Sequence, residues 1–477
     1  MFPAGVWSGD PQPESAVVGT YVDPQGAGDL DVTVQISPTT DFSPGSLVHE
    51  ATVATDASSG FTVKAKAGDL DPDSWYYYRF SAHGGITSPV GRTRTAPAPG
   101  ASPESLRIAF CSCQNFGQGT YAAWRNIASE DIDFVVFLGD YVYEGAGTGV
   151  RPDPSGSAND VDGYRRKYRM YRSDPSLQAA HANFPVVPIW DDHEVVDNYD
   201  KHVSPTRRAA GYQAWFEFMP VERNATEPDR SYRSLAWGDL AELFLIDTRQ
   251  YRDIEASAGS TLTWDSNMLG SNRSILGAEQ KTWLKSGLGN STRRWKLLGN
   301  QVVMMPWRLL DFDDPRFRQV MPNLPPNAGF YVNGDSWDGY QHERRELLSH
   351  LDDAGVDNFV VLTGDVHSFW AGEVRTNFDA PHTAPTGFEF VGGSVSSTFT
   401  DIAGYEVSEG ILQLFRQQFK ELSYIDTLNR GYGLLDITPG ATTCDFKVVD
   451  SANPVSEATV AARFRVQDSG DELERII

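Results

Sequence analysis

The stretch that decides the fold is Ile132–Glu144, which reads IDFVVFLGDYVYE. Its apolar run, FVVFL, ends abruptly in Gly-Asp. A short continuous run of β-branched and aromatic residues is typical of a parallel strand that is covered on both faces. Ligands bind just beyond the carboxyl ends of such strands in open α/β sheets. We therefore expect Asp140 and Tyr143 to lie at a functional site.

The composition predicts a folded, acidic protein of about two to four domains. The chain has 477 residues, of which 12% are aromatic, and a formal net charge of −24 with a pI near 4.7. Nucleic acid and anionic membranes are bound by clustered Lys and Arg, so this charge argues against both as main partners. An anionic substrate would require a local positive charge, such as bound metal ions.

The cysteines and the apolar runs indicate neither a disulfide-held protein nor a membrane span. Cys111 and Cys113 are too close along a strand to pair comfortably, and Cys444 is the third cysteine of an odd set. No apolar run reaches the ~18–20 residues that a spanning helix needs. The N-terminal text MFPAGVWSGDPQ lacks the features of a signal peptide, which fits a cytoplasmic protein or a mature form.

The first part of the chain is predicted to be all-β. Residues 1–97 contain short alternating runs, such as VTVQIS and FTVKAKA, separated by turn residues. This pattern predicts a β-sandwich of about seven strands. Residues 70–80, LDPDSWYYYRF, are similar to the tyrosine corner of fibronectin-type sandwiches. Residues 98–105 are rich in Pro, Ala, Ser and Gly and are expected to be a linker.

Residues 106–428 alternate apolar strand-like runs with amphipathic segments, which predicts an α/β domain. The predicted strands are 106–111, 132–140, 184–192, 240–247, 295–304, 358–365 and 388–394. The predicted helices are 120–131, 278–288, 342–355 and 409–422. The segments 145–163 and 305–340 are expected to be long loops that form lids or substrate walls. Residues 429–477 are β-like again and are expected to add strands and a tail at the edge of this domain.

Five of the predicted strands end in side chains that can bind metals. The endings contain Cys113, Asp140 with Tyr143, Asp191-Asp192-His193-Glu194, Asn300, and Asp365 with His367. Parallel strands present their carboxyl ends on one edge of a sheet, so these endings are expected to converge. The set is rich in oxygen and nitrogen and has more ligands than one ion needs, which predicts two metals. Such a site activates water and stabilises both oxygens of an in-line phosphoryl displacement.

Taken singly, each ending also has a structural explanation. An Asp after a buried strand is often a helix N-cap or turn residue, and a lone Cys113 is often a small core residue. Tyr143 and His367 are individually compatible with packing. Asp191–Glu194 is harder to explain in this way, because four ionisable residues are costly to bury without partners. The endings together favour a metal site, whereas Cys111 has no predicted role beyond strand packing.

Beyond these patterns, the chain resembles PhoD-type alkaline phosphatases. The resemblance rests on CSCQNF, GDYVYE, WDDHEV and LTGDVHSFW in this order, supported by GVWSGDPQP near the start and residues 232–253. It covers nearly the whole chain. It implies a four-layer metallophosphoesterase sandwich of mixed α and β structure, with a purple acid phosphatase-like site. It also implies a fibronectin- or immunoglobulin-like β-sandwich before that domain.

The resemblance implies a role for each matching residue. The metal ligands would be Cys113, Asp140, Tyr143, Asp192, Asn300, Asp365 and His367, with His193 as the general acid. Asp140 would bridge the two ions. A phenolate and a thiolate suit Fe³⁺ at the first position. The carboxylate-rich second position suits Ca²⁺, with other divalent metals as alternatives.

The predicted function is hydrolysis of phosphate mono- and diesters by a metal-activated hydroxide. One alternative is a phospholipase D-like phosphodiesterase that acts mainly on phospholipid or polymeric wall phosphodiesters. A second alternative is a binding protein with a degenerate site, which loss of a motif residue would indicate, but no motif residue is lost. The resemblance also implies export to the periplasm, the cell surface or the medium. Arg416 and Lys420, one turn apart in the predicted helix 409–422, face either substrate anions or solvent.

Overall fold

We describe the protein from a computed structural model. The described residues are 1–26, 28–147, 149–256, 266–312, 315–324, 328–378, 383–400 and 421–477. No helix among them has the length and hydropathy required to cross a membrane.

The N-terminal part is a two-sheet β-sandwich, as the sequence predicts. Its strands are β1 (Val6–Gln12), β2 (Ser15–Tyr21), β3 (Leu30–Ser37), β4 (His49–Thr55), β5 (Thr62–Ala67), β6 (Trp75–Ala82), β7 (Ile86–Thr87) and β8 (Gly91–Arg94). One sheet has the order β1-β2-β5, and the other has the order β4-β3-β6-β7 with β8 also paired to β6. Alternate residues of β3 and β6, such as Val34 and Phe80, are buried between the sheets because side chains alternate faces along a strand.

The predicted tyrosine corner is present in this sandwich. The amide of Asp71 donates a hydrogen bond to Tyr76 Oη at 2.8 Å, and Leu70 is buried beside the corner. The sandwich also contacts the α/β part directly. Lys64 Nζ donates to the carbonyl oxygens of Phe216 and Val221 at 2.5 and 2.8 Å. The sandwich therefore packs against the rest of the chain through polar contacts as well as apolar ones.

The remaining strands and helices follow in chain order. The strands are β9 (Leu106–Cys111), β10 (Phe134–Leu138), β11 (Val186–Ile189), β12 (Arg233–Trp237), β13 (Ala241–Leu245), β14 (Trp295–Asn300), β15 (Arg308–Asp311), β16 (Gly329–Tyr331), β17 (Phe359–Thr363), β18 (Phe369–Val374), β19 (Gly387–Gly392), β20 (Leu422–Asp426), β21 (Arg430–Ile437), β22 (Ala441–Val449), β23 (Thr459–Gln467) and β24 (Glu474–Arg475). The helices are α1 (Ala122–Ile127), α2 (Val161–Tyr171), α3 (Pro175–Asn183), α4 (Pro205–Phe218), α5 (Gly277–Asn290), α6 (Pro315–Val320) and α7 (Gln341–Asp353).

Two seven-stranded sheets stack to form the predicted four-layer fold. Their orders are β11-β10-β9-β21-β22-β23-β24 and β12-β13-β14-β17-β19-β18-β20. A buried apolar cluster between them takes Phe110 and Leu138 from the first sheet and Leu243 and Val360 from the second. Helices α1 to α4 cover the outer face of the first sheet, and α5 and α7 cover that of the second. Strands β9, β10 and β11 are parallel, as are β13, β14, β17 and β19.

The structure corrects several element boundaries. The predicted loop 145–163 ends in α2, and the predicted loop 305–340 contains the β15–β16 hairpin and α6. Helices α3 and α4 were not predicted. Of the predicted helix 409–422, residues 409–420 lie outside the described residues, together with Arg416 and Lys420. Leu422 begins strand β20 instead of ending a helix.

Candidate metal centre

Four loops that follow parallel strands bring most of the predicted site residues together. The loops after β9, β10, β11 and β17 carry Cys113, Asp140, Tyr143, Asp192, His193, Asp365 and His367. The Cys113 amide donates to the Gly139 carbonyl at 3.1 Å, which joins the first two loops. Gly364 lets the fourth loop approach, because a Cβ atom there would lie 2.8 Å from Ser112 Cβ and 3.0 Å from the Leu138 carbonyl oxygen. The close approach explains why glycine precedes Asp365.

The backbone is strained where the site residues sit. Cys113, Asp140, Asp365 and His367 have φ values of +56°, +59°, +62° and +50°. These angles lie in the left-handed region, which residues other than glycine adopt at an energetic cost. Strain of this kind persists where the surrounding structure fixes it and clusters at functional sites.

The first half of the site is a mixed sulfur, oxygen and nitrogen cluster. Ligand atoms of Cys113, Asp140 and His367 all lie within 4.8 Å of one another, and all three residues are buried. Tyr143 Oη joins them, since it donates to Asp140 Oδ2 at 2.9 Å and lies 3.2 Å from His367 Nε2. Ser397 Oγ lies 2.8 Å from the same phenol oxygen. This set could hold one metal ion through thiolate, carboxylate, phenolate and imidazole ligands.

The second half shares Asp140 with the first. Ligand atoms of Asp140, Asp192 and His193 also lie within 4.8 Å of one another. Asp192 Oδ2 accepts a hydrogen bond from the Asn198 amide at 2.6 Å. Burial alone would raise the pKa of Asp192, but Arg249 and His193 hold it well below its usual value.

Asp140 supplies the structural test of whether a metal fits. Its Oδ1 atom is buried and accepts no hydrogen bond from the described residues. Burial, followed by the neighbouring charge of Asp192, raises the pKa of Asp140 well above the ordinary carboxyl value. Two adjacent buried carboxylates with a free oxygen are stabilised by a cation between them. The residues present therefore fit a metal centre.

His367 is oriented as a metal-binding imidazole. Its Nδ1 atom lies 2.9 Å from the Thr398 carbonyl oxygen, so this nitrogen carries the proton and donates it. The Nε2 atom is left with its lone pair directed toward Tyr143 Oη. A carbonyl that fixes the tautomer of a ligating histidine is a common feature of metal sites.

Two further ligands would have to lose protons before they bind a metal. Burial, then the charge of Asp140, raises the pKa of the Cys113 thiol well above its ordinary value. The same two causes raise the pKa of Tyr143. Because a metal binds the thiolate and phenolate forms, binding competes with these protons.

His193 pairs with Glu144, which the sequence motifs contain but to which sequence reasoning assigns no role. His193 Nδ1 donates to Glu144 Oε2 at 2.7 Å, and the Asp197 amide donates to Glu144 Oε1 at 3.1 Å. Burial lowers the pKa of His193, but Asp192 and Asp140, with help from Glu144, raise it well above its ordinary value. These carboxylates therefore favour the protonated imidazole.

Asp365 lies beside the site but belongs to neither ligand group. Its Oδ1 atom is 3.3 Å from Arg249 Nη2, and its backbone carbonyl faces Cys113 Sγ at 3.8 Å. Burial and the charge of Asp191 raise the pKa of Asp365, against the lowering effect of Arg249. Arg249 is fully buried and was not singled out from the sequence, although it lies within the 232–253 stretch.

Asn300 makes its hydrogen bonds with residues other than the predicted ligands. Its Nδ2 atom donates to the Val302 carbonyl at 2.5 Å and to Thr363 Oγ1 at 3.2 Å. Its Oδ1 atom accepts from Trp337 Nε1 at 3.1 Å. These bonds give Asn300 a structural function between β14 and the loop that precedes α7. Cys111, for which packing was predicted, is buried in the apolar cluster beneath α1 to α4.

Glu194 is a third residue, after Glu144 and Arg249, to which the sequence analysis assigned no function. Its carboxylate accepts hydrogen bonds from the amides of Asp140, Tyr141 and Asp191, at 3.2, 2.6 and 2.9 Å. It thereby fixes the loop after β10 to the loop after β11. The only sequence signal for this function is its place in the DDHE run, where buried ionisable residues need partners.

Stacked mixed sheets covered by helices, with clustered candidate metal ligands at their strand ends, are the architecture of the metallophosphoesterase class. The profile of the PhoD-like phosphatase family matches residues 108–446, and that of the PhoD-like phosphatase N-terminal domain matches residues 1–97. Alkaline phosphatase D of Bacillus subtilis (strain 168) is 34% identical over 502 aligned positions, which cover 100% of this chain and 82% of that protein. The chain therefore belongs to the PhoD-like phosphatase family and is a phosphatase.

Solved structures agree with this assignment. The structure of PhoD matches with a TM-score of 0.90 and 32% identity, over 100% of this chain and 92% of that chain. A purple acid phosphatase, PPD1 from yellow lupin (Lupinus luteus) seeds, matches with a TM-score of 0.61 over 98% of this chain and 75% of that chain. At 12% identity, the second match supports the fold alone.

Proposed function

We propose that this phosphatase hydrolyses phosphate mono- and diesters at a two-metal site in which Asp140 is the shared ligand. The observation that carries the proposal is that Asp140 belongs to both groups of clustered ligand atoms. Its free, buried Oδ1 atom supports the same role. When bound, two cations supply a water nucleophile that is activated at neutral pH, together with positive charge beside the phosphoryl oxygens.

The donor atoms suggest which metals these are. The first position has three anionic ligands, the Asp140 carboxylate, the Cys113 thiolate and the Tyr143 phenolate. His367 adds one neutral imidazole. This set supports Fe³⁺. Asp192 and Asp365 offer hard oxygen ligands, which supports Ca²⁺ at the second. Asn300 remains a proposed ligand of the second cation, because its Oδ1 atom accepts one hydrogen bond, from Trp337, and has a second lone pair.

His193 is proposed as the general acid. Hydrolysis replaces the ester P–O bond with a bond to a water oxygen, and the departing oxygen needs a proton. His193 is the protonated group at the edge of the site, and Glu144 holds its Nδ1 atom. The Nε2 atom therefore remains free to give its proton to the departing oxygen. Bound cations would offset the net negative charge of the protein locally, so that an anionic ester can approach.

Cys111 and Cys113, at the end of β9 and just beyond it, provide a test of the metal site. Cys111→Ser and Cys113→Ser change buried thiols two positions apart, but only Cys113 is proposed as a ligand. We expect iron and a divalent metal near stoichiometry in the unaltered protein and in Cys111→Ser. We expect iron to be lost in Cys113→Ser, with the loss measured by elemental analysis of protein purified without chelator. Zinc alone in the unaltered protein, or equal iron in both variants, would contradict the proposal.

The substrate class is tested on the same samples. p-Nitrophenyl phosphate, its bis-ester and a phospholipid should be compared at equal metal content. We expect turnover of the monoester and of the diester, loss of both on chelation, and recovery when metal is returned. Turnover of the diester and the phospholipid alone would favour the phospholipase D-like alternative. Full turnover after complete chelation would remove the metals from the reaction.

We also propose that the protein acts outside the cytoplasm, in the periplasm, at the cell surface or in the medium. The support is its family and its similarity to an alkaline phosphatase D. Fractionation of cells that express the full-length gene, with detection by antibody, tests this location. Recovery in the cytoplasmic fraction alone would contradict it.

A further inference from the structure

Arg249 is a fully buried arginine surrounded by carboxylates. Its Nε and Nη2 atoms donate to the two oxygens of Asp191, with Nη2 to Oδ2 at 3.0 Å. Its Nη1 atom donates to both oxygens of Asp335 at 2.9 and 2.8 Å. A guanidinium that is held on two sides by carboxylates has a fixed position and orientation.

The same guanidinium also reaches the second half of the metal centre. Arg249 Nη2 lies 3.3 Å from Asp365 Oδ1 and 3.7 Å from Asp192 Oδ2. These are the two carboxylates proposed for the second cation. One nitrogen that is anchored by Asp191 therefore contacts both of them.

The positive charge of Arg249 stabilises the two carboxylates that it contacts. Asp192 is buried and the Asp365 side chain is only 14% exposed, so their carboxylates would repel each other without a nearby positive charge. The Arg249 guanidinium stays charged, because arginine is not deprotonated in proteins. It therefore offers a permanent positive charge beside the two carboxylates proposed for the second cation.

We propose that Arg249 is a positioning residue that keeps the second half of the metal centre assembled while no second cation is bound. The identity of that half rests on the proposed two-metal function. A site held in this way releases and regains its second ion without local unfolding. The ion pairs of Arg249 are with Asp191, Asp192, Asp335 and Asp365, so its charge acts on the second half of the centre.

Arg252 is a matched control. It is equally buried, lies in the same loop, and binds the same partner, with Nη1 2.6 Å from Asp335 Oδ1. Its other hydrogen bonds go to the carbonyl oxygens of Asn198, Tyr199 and Asp335. In the described part of the chain it contacts neither Asp192 nor Asp365. A change at Arg252 therefore reproduces the loss of a buried guanidinium without touching the second half.

The test compares Arg249→Lys with Arg252→Lys by hydrogen exchange in protein stripped of metal. The reporter is the loop 364–368, which carries Asp365. We expect its amides to exchange at least about tenfold faster in Arg249→Lys than in the unaltered protein, because a lysine ammonium cannot bind Asp191, Asp335 and Asp365 together. In Arg252→Lys the loop should exchange at the unaltered rate. Equal exchange of this loop in both variants would overturn the proposal.

The unaltered protein provides a second version of the test that does not depend on either variant folding. Loop 364–368 should exchange within about threefold of the same rate before and after metal is stripped. A rise of more than about tenfold on stripping would show that the cation, not Arg249, holds the loop. Elemental analysis of the metal-loaded protein tests the two-metal function separately from the role of Arg249. Binding of a single ion would contradict the two-metal function, whereas exchange in the stripped protein still decides the role of Arg249.

Discussion

Glu144 and His193 are joined by a hydrogen bond of 2.7 Å between Oε2 and Nδ1. Glu144 is itself fixed by the Asp197 amide and is largely buried, so its charge acts on the imidazole at close range. Although burial lowers the pKa of His193, the net shift is upward, and Glu144 contributes to it after Asp192 and Asp140. The pair therefore fixes both the direction in which His193 points and the pH range in which it holds its proton.

The first prediction concerns Glu144→Gln. Removal of the Glu144 charge lowers the pKa of His193, so the protonated imidazole is lost at a lower pH. The alkaline limb of the kcat profile should move toward lower pH, while the metal content stays the same. Asp197→Asn is the control, since Asp197 is exposed and lies 3.8 Å from His193 Nε2, and its effect should be smaller. An unchanged alkaline limb in Glu144→Gln would remove Glu144 from the mechanism.

The second prediction separates two possible functions of His193. As general acid, His193 should be dispensable for metal binding, so His193→Ala should keep both ions and lose roughly 10²–10⁴-fold in kcat. Its position within the second ligand group also makes it a potential metal ligand. Elemental analysis of His193→Ala decides, because loss of the second metal would make it a ligand. A substrate with a highly acidic leaving group should recover much of the lost rate if His193 supplies the proton.

The strand endings show how much of the site follows from the sequence. The predicted convergence is seen for Cys113, Asp140, Asp192 and His367. It could be predicted because a short apolar run followed by a polar residue marks the carboxyl end of a buried parallel strand in the local sequence. Asn300 has the same local signature, but its hydrogen-bond partners Trp337 and Thr363 are set by tertiary packing and cannot be predicted from that signature.

Arg249 and α4 show what local patterns miss. Arg249 binds residues 58, 86 and 116 positions away, so no short window contains its partners. Helix α4 buries four aromatic and two small residues, namely Tyr212, Trp215, Phe216, Phe218, Gly211 and Ala214. At about 100° per residue these positions cover more than half of the helix circumference, which leaves no narrow apolar stripe to recognise.

The third prediction identifies the first metal. If Tyr143 binds ferric iron as a phenolate, the purified protein should show a visible charge-transfer band that Tyr143→Phe lacks. Ser397→Ala is the control, because Ser397 Oγ lies 2.8 Å from Tyr143 Oη and contacts the phenol without belonging to either ligand group. That variant should keep the band at a shifted wavelength. A band of unchanged strength in Tyr143→Phe would remove Tyr143 from the first coordination sphere.

The fourth prediction concerns Glu194, whose carboxylate accepts three backbone N–H groups that join the loops after β10 and β11. In Glu194→Gln an NH₂ group replaces one carboxylate oxygen. This group cannot accept a hydrogen bond, so at least one of the three N–H donors loses its acceptor. Each buried donor left unsatisfied costs about 1–3 kcal/mol, so the free energy of unfolding should fall by about 3 kcal/mol.

The same variant should also bind less metal, because two of those N–H groups belong to Asp140 and Asp191. Glu389→Gln is the matched control: Glu389 is equally buried, and it accepts the amides of Met304 and Met305 together with the Thr363 hydroxyl. It should lose similar stability in denaturant unfolding and keep its metal. If both variants lost metal in proportion to their lost stability, Glu194 would support the fold in general and not the shared ligand in particular. A selective loss of metal in Glu194→Gln would show that the position of Asp140 depends on this carboxylate.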